Sequence, residues 1–132
     1  QKSKQKKSVS APPHSFLVSG GFRVAAGRNN RQNDTLTLKT ASGGDLWFHT
    51  KEIPGTHVIL FTEGRTPSEK ALAEAASIAA YFSKGKMSQN VPVDYTLVKY
   101  VKKPAGAKPG KVIFTHNKTL YVDPLLPRDE KE

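Results

Sequence analysis

The sequence predicts an α+β domain: a mostly antiparallel sheet with one long helix, about residues 67–84, packed on a face. Three observations carry this. Short β-forming runs recur between turn signals. One segment alone has helical periodicity with terminal signals at both ends. The long helix is inserted once among several strands, with no internal repeat.

Each element has its own warrant. Phe16–Ser19 and Phe22–Ala26 flank Gly20-Gly21, a tight hairpin. Gly27–Asn33 is polar and rich in Asn, a composition of caps and turns. Asp34–Thr40 alternates, with Leu36 and Leu38 on one face. It reads as a strand or as the end of a short helix opened by the Asn cluster, and the pattern does not separate the two. Ser42-Gly-Gly44 is a turn, Leu46–His49 has strand composition, and Ile53–Thr56 turns at Pro54-Gly55. His57–Phe61 is almost unbroken apolar, as for a central strand buried on both faces. Thr66-Pro-Ser-Glu69 reads as a capping box with Pro67 at the first helical position. Leu72, Ala75, Ala76, Ala79 and Phe82 form one stripe, and Gly85 between Lys84 and Lys86 closes the helix. Val91–Val101 alternates as a strand, Lys102–Gly110 is a Pro/Gly loop, and Lys111–His116 and Thr119–Val122 are strands.

Composition bounds the function. The chain of 132 residues is one domain's worth, with 36% hydrophobic residues and no apolar run long enough for a membrane helix. Cysteine is absent, which removes disulfides, thiolate metal sites and cysteine nucleophiles. There are 21 Lys and Arg against 11 Asp and Glu, a formal charge of +10. Such a balance points to a polyanionic partner, nucleic acid first. Residues 1–12 form a basic, disordered tail, 13–127 a single domain and 128–132 a solvated end. The domain is itself basic: Arg23 to Arg128 holds sixteen Lys and Arg against eight Asp and Glu. The chain opens on Gln1, as a piece of a longer protein would; a stand-alone module stays open too.

Three clusters are candidates for function. In Asp45-Leu-Trp-Phe-His-Thr-Lys51, strand alternation places Asp45, Trp47 and His49 on one face and Leu46 and Phe48 on the other, in the core. Trp47 is either a stacking plane for a base or a partly buried anchor that Asp45 and His49 satisfy. His57 follows across the Pro54-Gly55 turn, and Asp45, His49 and His57 define a metal-dependent hydrolase as one alternative. Their spacing has no metal signature, so no metal and no cofactor is expected. No serine sits in a nucleophile elbow either. In the second cluster, Arg28, Asn29, Asn30, Arg31 and Asn33 supply donors that suit phosphates and bases, or helix caps. The third is Lys99–Lys111. There Lys102, Lys103, Lys108 and Lys111, with Tyr100 nearby, read as a mobile cationic loop for a phosphate backbone. Lys51 and His57 complete the expected contact set. His14 and His116 are expected at the surface.

Gly27-Arg-Asn-Asn-x-Gln-Asn-Asp34, Asp45-x-Trp-x-His49, Pro54-Gly-x-His-Val58 and Lys108-Pro-Gly-Lys-Val112 together resemble the NFACT-R domain of the RqcH/NEMF family. The likeness covers about residues 20–123. Bacterial members are often labelled fibronectin-binding protein A, so an adhesion module is a further alternative. The resemblance implies a cytoplasmic RNA-binding module of ribosome quality control. Its implied partners are tRNA and the ribosomal RNA of an obstructed large subunit, and the stalled chain is then tailed. It implies no catalytic residue in this domain, and makes the Asp45, Trp47 and His49 set a functional hallmark. Oligomeric state and the particular RNA lie beyond it.

Overall fold

A computed structural model describes residues 11–127. The expected tail up to residue 10 and the end at 128–132 lie outside the described residues. The strands are β1 (His14–Val18), β2 (Phe22–Ala26), β3 (Leu46–Thr50), β4 (Val58–Phe61), β5 (Val91–Leu97), β6 (Val101–Lys102), β7 (Ile113–Phe114) and β8 (Lys118–Val122). A short helix, α1 (Asn30–Thr35), runs into one π-helical turn, Leu36–Thr40, and the main helix is α2 (Glu69–Tyr81).

Six strands make one sheet in the order β1-β2-β4-β3-β5-β8, antiparallel throughout. A separate antiparallel ribbon pairs β6 with β7. The hairpin falls where the glycines place it, with Gly20 and Gly21 both at positive φ, 87° and 79°. β4 is interior and all four of its residues are buried, as its unbroken apolar run requires.

Period-2 alternation sorts two cores. Val24, Ala26, Phe48, Val58, Leu60, Val91 and Val93 face α2. Ala25, Trp47, Ile59 and Phe61 face the other way, under Leu36, Val98 and Val101. The second core is covered by α1, its π-helical turn and the chain from Val98 to Phe114. The sheet is therefore sandwiched, not half-exposed as a one-helix reading implies.

Several expectations are corrected. α2 is a 13-residue helix, not the long one expected over 67–84. Ser68 is its N-cap, in extended backbone, with Oγ accepting from the Ala71 N–H at 3.1 Å, which leaves Pro67 outside the helix. At the other end the Ser83 hydroxyl donates to the Ala80 carbonyl (2.7 Å) and accepts from Gly85 N–H (2.9 Å). This turn closes the helix before Gly85 is reached. The expected stripe is present but wider, since Ala71, Ile78 and Ala80 are also buried. The open choice at Asp34–Thr40 resolves as helix, capped by Asn29. The strand expected over 91–101 breaks at a 3₁₀ turn, Val98–Tyr100, which sends β6 out of the main sheet. β7 is shorter than the strand expected over 111–116.

Alanine at the α2 interface lets the helix axis lie close to the sheet, with no room for a longer side chain. Ala79→Leu, at a position 1% exposed, is expected to destabilise the fold by about 1–3 kcal/mol through overpacking. Urea denaturation measures it, and an unchanged midpoint would contradict close packing there.

Candidate nucleic-acid interface

The pleat of β3 turns Trp47 and His49 away from α2. Their rings stack with planes 5° apart and centroids at 5.8 Å. His57, entering β4, meets Trp47 edge-on at 5.5 Å, and Phe114 tilts onto it at 4.7 Å. Trp47 is 1% exposed. It is an anchor of the second core and not the open stacking plane that alternation allowed, because this face of the sheet is also covered.

Asp45 departs from its expected place. It precedes β3 in a turn, and its carboxylate accepts from Ser42 N–H (2.8 Å), Thr62 N–H (2.9 Å) and the Thr62 hydroxyl (3.2 Å). It ties two loops together and does not hold His49. The acid opposite His49 is Asp94, its cross-strand partner on β5. Asp94 accepts from Thr119 Oγ1 (2.7 Å), Asn117 Nδ2 (3.2 Å) and Lys51 Nζ (3.4 Å). Asp45, His49 and His57 therefore do not converge. Among the described residues no group of three or more His, Asp or Glu is placed to hold a metal ion.

His57 is the buried hub. The Gly110 carbonyl, which can only accept, lies 3.1 Å from Nε2, so Nε2 carries the proton. Nδ1 then accepts from the Thr37 hydroxyl at 2.8 Å. Burial pushes this imidazole down to about 4, with the neighbouring His49 as the second cause. His49 is lowered too, chiefly by burial, while backbone carbonyls and Asp94 oppose the shift.

The asparagines are mostly framework. Asn29 caps α1 through Gln32 N–H (2.9 Å), and Gln32 Oε1 accepts from Arg28 N–H (2.8 Å). Asn33 is buried, its Oδ1 accepting from Thr56 Oγ1 (2.6 Å) and His57 N–H (3.2 Å). Asn30 packs against Gly110, where an added Cβ would stand 2.6 Å from Asn30 Oδ1. Gly110 also sits at φ +85° and donates its N–H to Asp34 Oδ1 at 3.0 Å.

The expected mobile cationic loop is thus pinned down. Lys103 turns inward: its Nζ lies 3.3 Å from Asp34 Oδ2 and donates to the carbonyls of Lys108 and Lys111. It staples the loop, and its charge is not presented outward. Arg28, Arg31, Lys102, Lys108 and Lys111 are exposed. Arg28 Nε donates to the Pro12 carbonyl, so residue 12 already lies on the domain. Tyr100 stacks on His116 at 4.0 Å, and His116 is exposed as expected. His14 is only half-exposed and stacks on Phe82 at 4.5 Å.

Between these parts lies an open cavity of about 970 Å³. Trp47, His49, His57 and Phe114 line it, with Pro109 and Gly110 on the loop side. Asn29, Asn30, Arg31, Lys108 and Lys111 reach it from two loops. Lys51, paired with Asp94, and Lys102, on β6, are not in its lining. Sequence reading missed Phe114, Gly110, Thr37 and Asp94. Val112 and Phe114 alternate as inward residues would, but nothing local says that they cover Trp47.

Cations thus ring an aromatic-floored cavity on a braced sheet. The family model described as NFACT protein RNA binding domain matches residues 13–116. The chain belongs to that family. It is 46% identical over 125 residues to the Rqc2 homolog RqcH of Bacillus subtilis (strain 168), covering 91% of this chain and 22% of that protein. It is 46% identical over 113 residues to the Rqc2 homolog RqcH of Streptococcus suis (strain 05ZYH33), covering 85% and 20%. The chain thus spans about a fifth of these relatives' length. The solved structure of the C-terminal part of the fibronectin/fibrinogen-binding protein from Streptococcus suis matches with TM-score 0.86 and 43% identity, over 92% of this chain and 49% of that one.

Two outcomes follow from the buried rings. Trp47→Ala should lower stability by about 3–5 kcal/mol, the cost of a core cavity, in chemical denaturation; a variant as stable as the parent would contradict a core role.

A depressed histidine pKa means that the unfolded chain binds a proton that the folded one refuses. Stability from neutral His57 is complete above pH 6.5 and is lost as pH falls toward 4. About 3 kcal/mol should disappear across that window, with His49 acting in the same direction. Urea midpoints between pH 7.5 and 4.5 should fall accordingly, and His57→Gln should flatten most of the slope. A wild-type midpoint that stays level to pH 5 would refute it.

Proposed function

We propose that this chain is the RNA-binding module of a ribosome quality control factor. In this reading it helps the factor hold tRNA and the obstructed large ribosomal subunit, in the cytoplasm, so that the stalled chain can be tailed. The domain binds, and bond making lies elsewhere.

One observation carries the reading. Exposed Arg31, Lys108 and Lys111, from segments far apart in sequence, meet at the mouth of one cavity in a domain of the NFACT RNA-binding family. Like charges held together by a braced fold oppose stability, so their gathering argues for a polyanion that neutralises them. Phosphates of an RNA backbone suit this, since each contact releases a counterion. Arg28 and Lys102, also exposed, extend the cationic surface beyond the cavity.

The roles of neighbouring lysines should separate experimentally. Lys108→Ala with Lys111→Ala should weaken RNA binding and reduce the slope of log affinity against log salt by roughly one per lost contact. Melting should stay unchanged. Lys103→Ala should instead lower the melting temperature, because it removes the loop staple. Wild-type affinity and slope in the double variant would defeat the reading. Fibronectin binding that persists at high salt while RNA binding does not would turn it toward adhesion.

A further inference from the structure

The cavity has a feature that gathering phosphates does not explain. Trp47 lines it, and the Trp47 indole Nε1–H is buried without any acceptor. It is the one such side-chain atom among the described residues. Buried donors almost always have partners, and an exception calls for a cause. The cavity's volume, about 970 Å³, lies at the upper end of the range for pockets that enclose small ligands.

The chemistry of the walls narrows the ligand. Both nitrogens of His57 are already committed, to Thr37 and Gly110, so it adds neither charge nor a spare donor. His49 stacks flat on Trp47, and Phe114 and Pro109 add apolar surface. Glu52 also lines the cavity and repels a second anion there. Charge therefore comes from Arg31, Lys108 and Lys111 on the surrounding loops, while the floor is aromatic and neutral with one unmet donor. A phosphate fits the cations and a planar, acceptor-bearing ring fits the floor. A nucleotide has both.

We propose that the cavity admits one unpaired, unstacked base of a bound single strand, whose acceptor edge meets Trp47 Nε1–H while its flanking phosphates sit on Arg31, Lys108 and Lys111. This rests on the RNA-binding reading and sharpens it. A paired base keeps its edge inside the duplex, so double-stranded RNA reaches only the cations. The donor is buried, so an acceptor reaches it only when the lining side chains shift to admit the ring. Base entry and a change around Trp47 are one event.

Trp47 is the only tryptophan in the chain, so intrinsic fluorescence reports this event directly. The full chain is titrated with a short single-stranded RNA, the same strand made abasic, its duplex, and inorganic polyphosphate. Anisotropy or competition gives affinity, and tryptophan emission gives entry. The base-bearing strand should change the emission. The abasic strand should bind roughly 5- to 150-fold more weakly, the worth of one base contact, with the same salt slope and unchanged emission. Duplex and polyphosphate should also bind without changing it. Trp47→Phe, which keeps a ring but no N–H, and His49→Ala, which removes part of the floor, should shrink the ratio between base-bearing and abasic strands. Equal binding of base-bearing, abasic and duplex RNA without emission change would overturn the inference and leave the RNA-binding reading standing. So would folded variants of both kinds that keep the full ratio, or polyphosphate that changes the emission as the strand does. If no RNA binds at all, both readings fall.

Discussion

The imidazole of His57 joins three segments that share no strand pairing. It accepts from Thr37 on the π-helical turn, donates to Gly110 on the basic loop, and packs at right angles to the ring of Trp47 on β3. The neutral ring is favoured, because a protonated one would bury a charge beside His49. The second face of the sheet is organised around that one ring. Asn33 holds the adjoining backbone, and Asp34 holds Gly110 from the far side. The loop, the short helix and the sheet are thus braced before any ligand arrives, and a braced backbone loses less on binding than one that must be ordered first.

The bracing also explains how cations are shared out. Lys102 and Lys103 are adjacent, yet one is exposed and the other spans Asp34 and two loop carbonyls. A lysine placed inward on an acid and on carbonyls shapes the loop. Its neighbours Lys108 and Lys111 can then be held at fixed positions by a backbone that would otherwise relax away from its own charge. Glycine at 110 follows from the same demand, since positive φ and the nearness of Asn30 leave no room for a Cβ.

Much of the main core was legible in the residues. Val58–Phe61 announces a central strand by being apolar throughout, Gly20-Gly21 announces its hairpin, and the Leu72–Phe82 stripe announces the helix. These are local signals, and local chemistry decides them. The second face was not legible. Trp47 shares its strand parity with His49, which alternation alone reads as an outer face; covering it takes Phe114, more than sixty residues later. The break at Val98 lies inside an alternating run that, by periodicity, continues to Val101. It follows from the chain leaving the sheet to cover that face. Asp45 was expected on the strand face of Trp47 and His49 because spacing cannot distinguish a strand residue from the turn before it.

What the sequence motifs mark, then, is a scaffold as much as a contact surface. Asn33, Asp34, Asp45 and His57 are spent on bonds within the fold, and only Arg31, Lys108 and Lys111 among the candidate cations reach the cavity. This division matches the physics of binding a charged strand. Affinity from phosphates needs exposed cations and tolerates variation in their placement, whereas discrimination needs groups held to within a fraction of an ångström. A hydrogen-bonded interior supplies the second requirement. In the proposed reading, neutral histidines would keep the floor from competing with the rim for phosphate, so that charge acts at the mouth and shape below it.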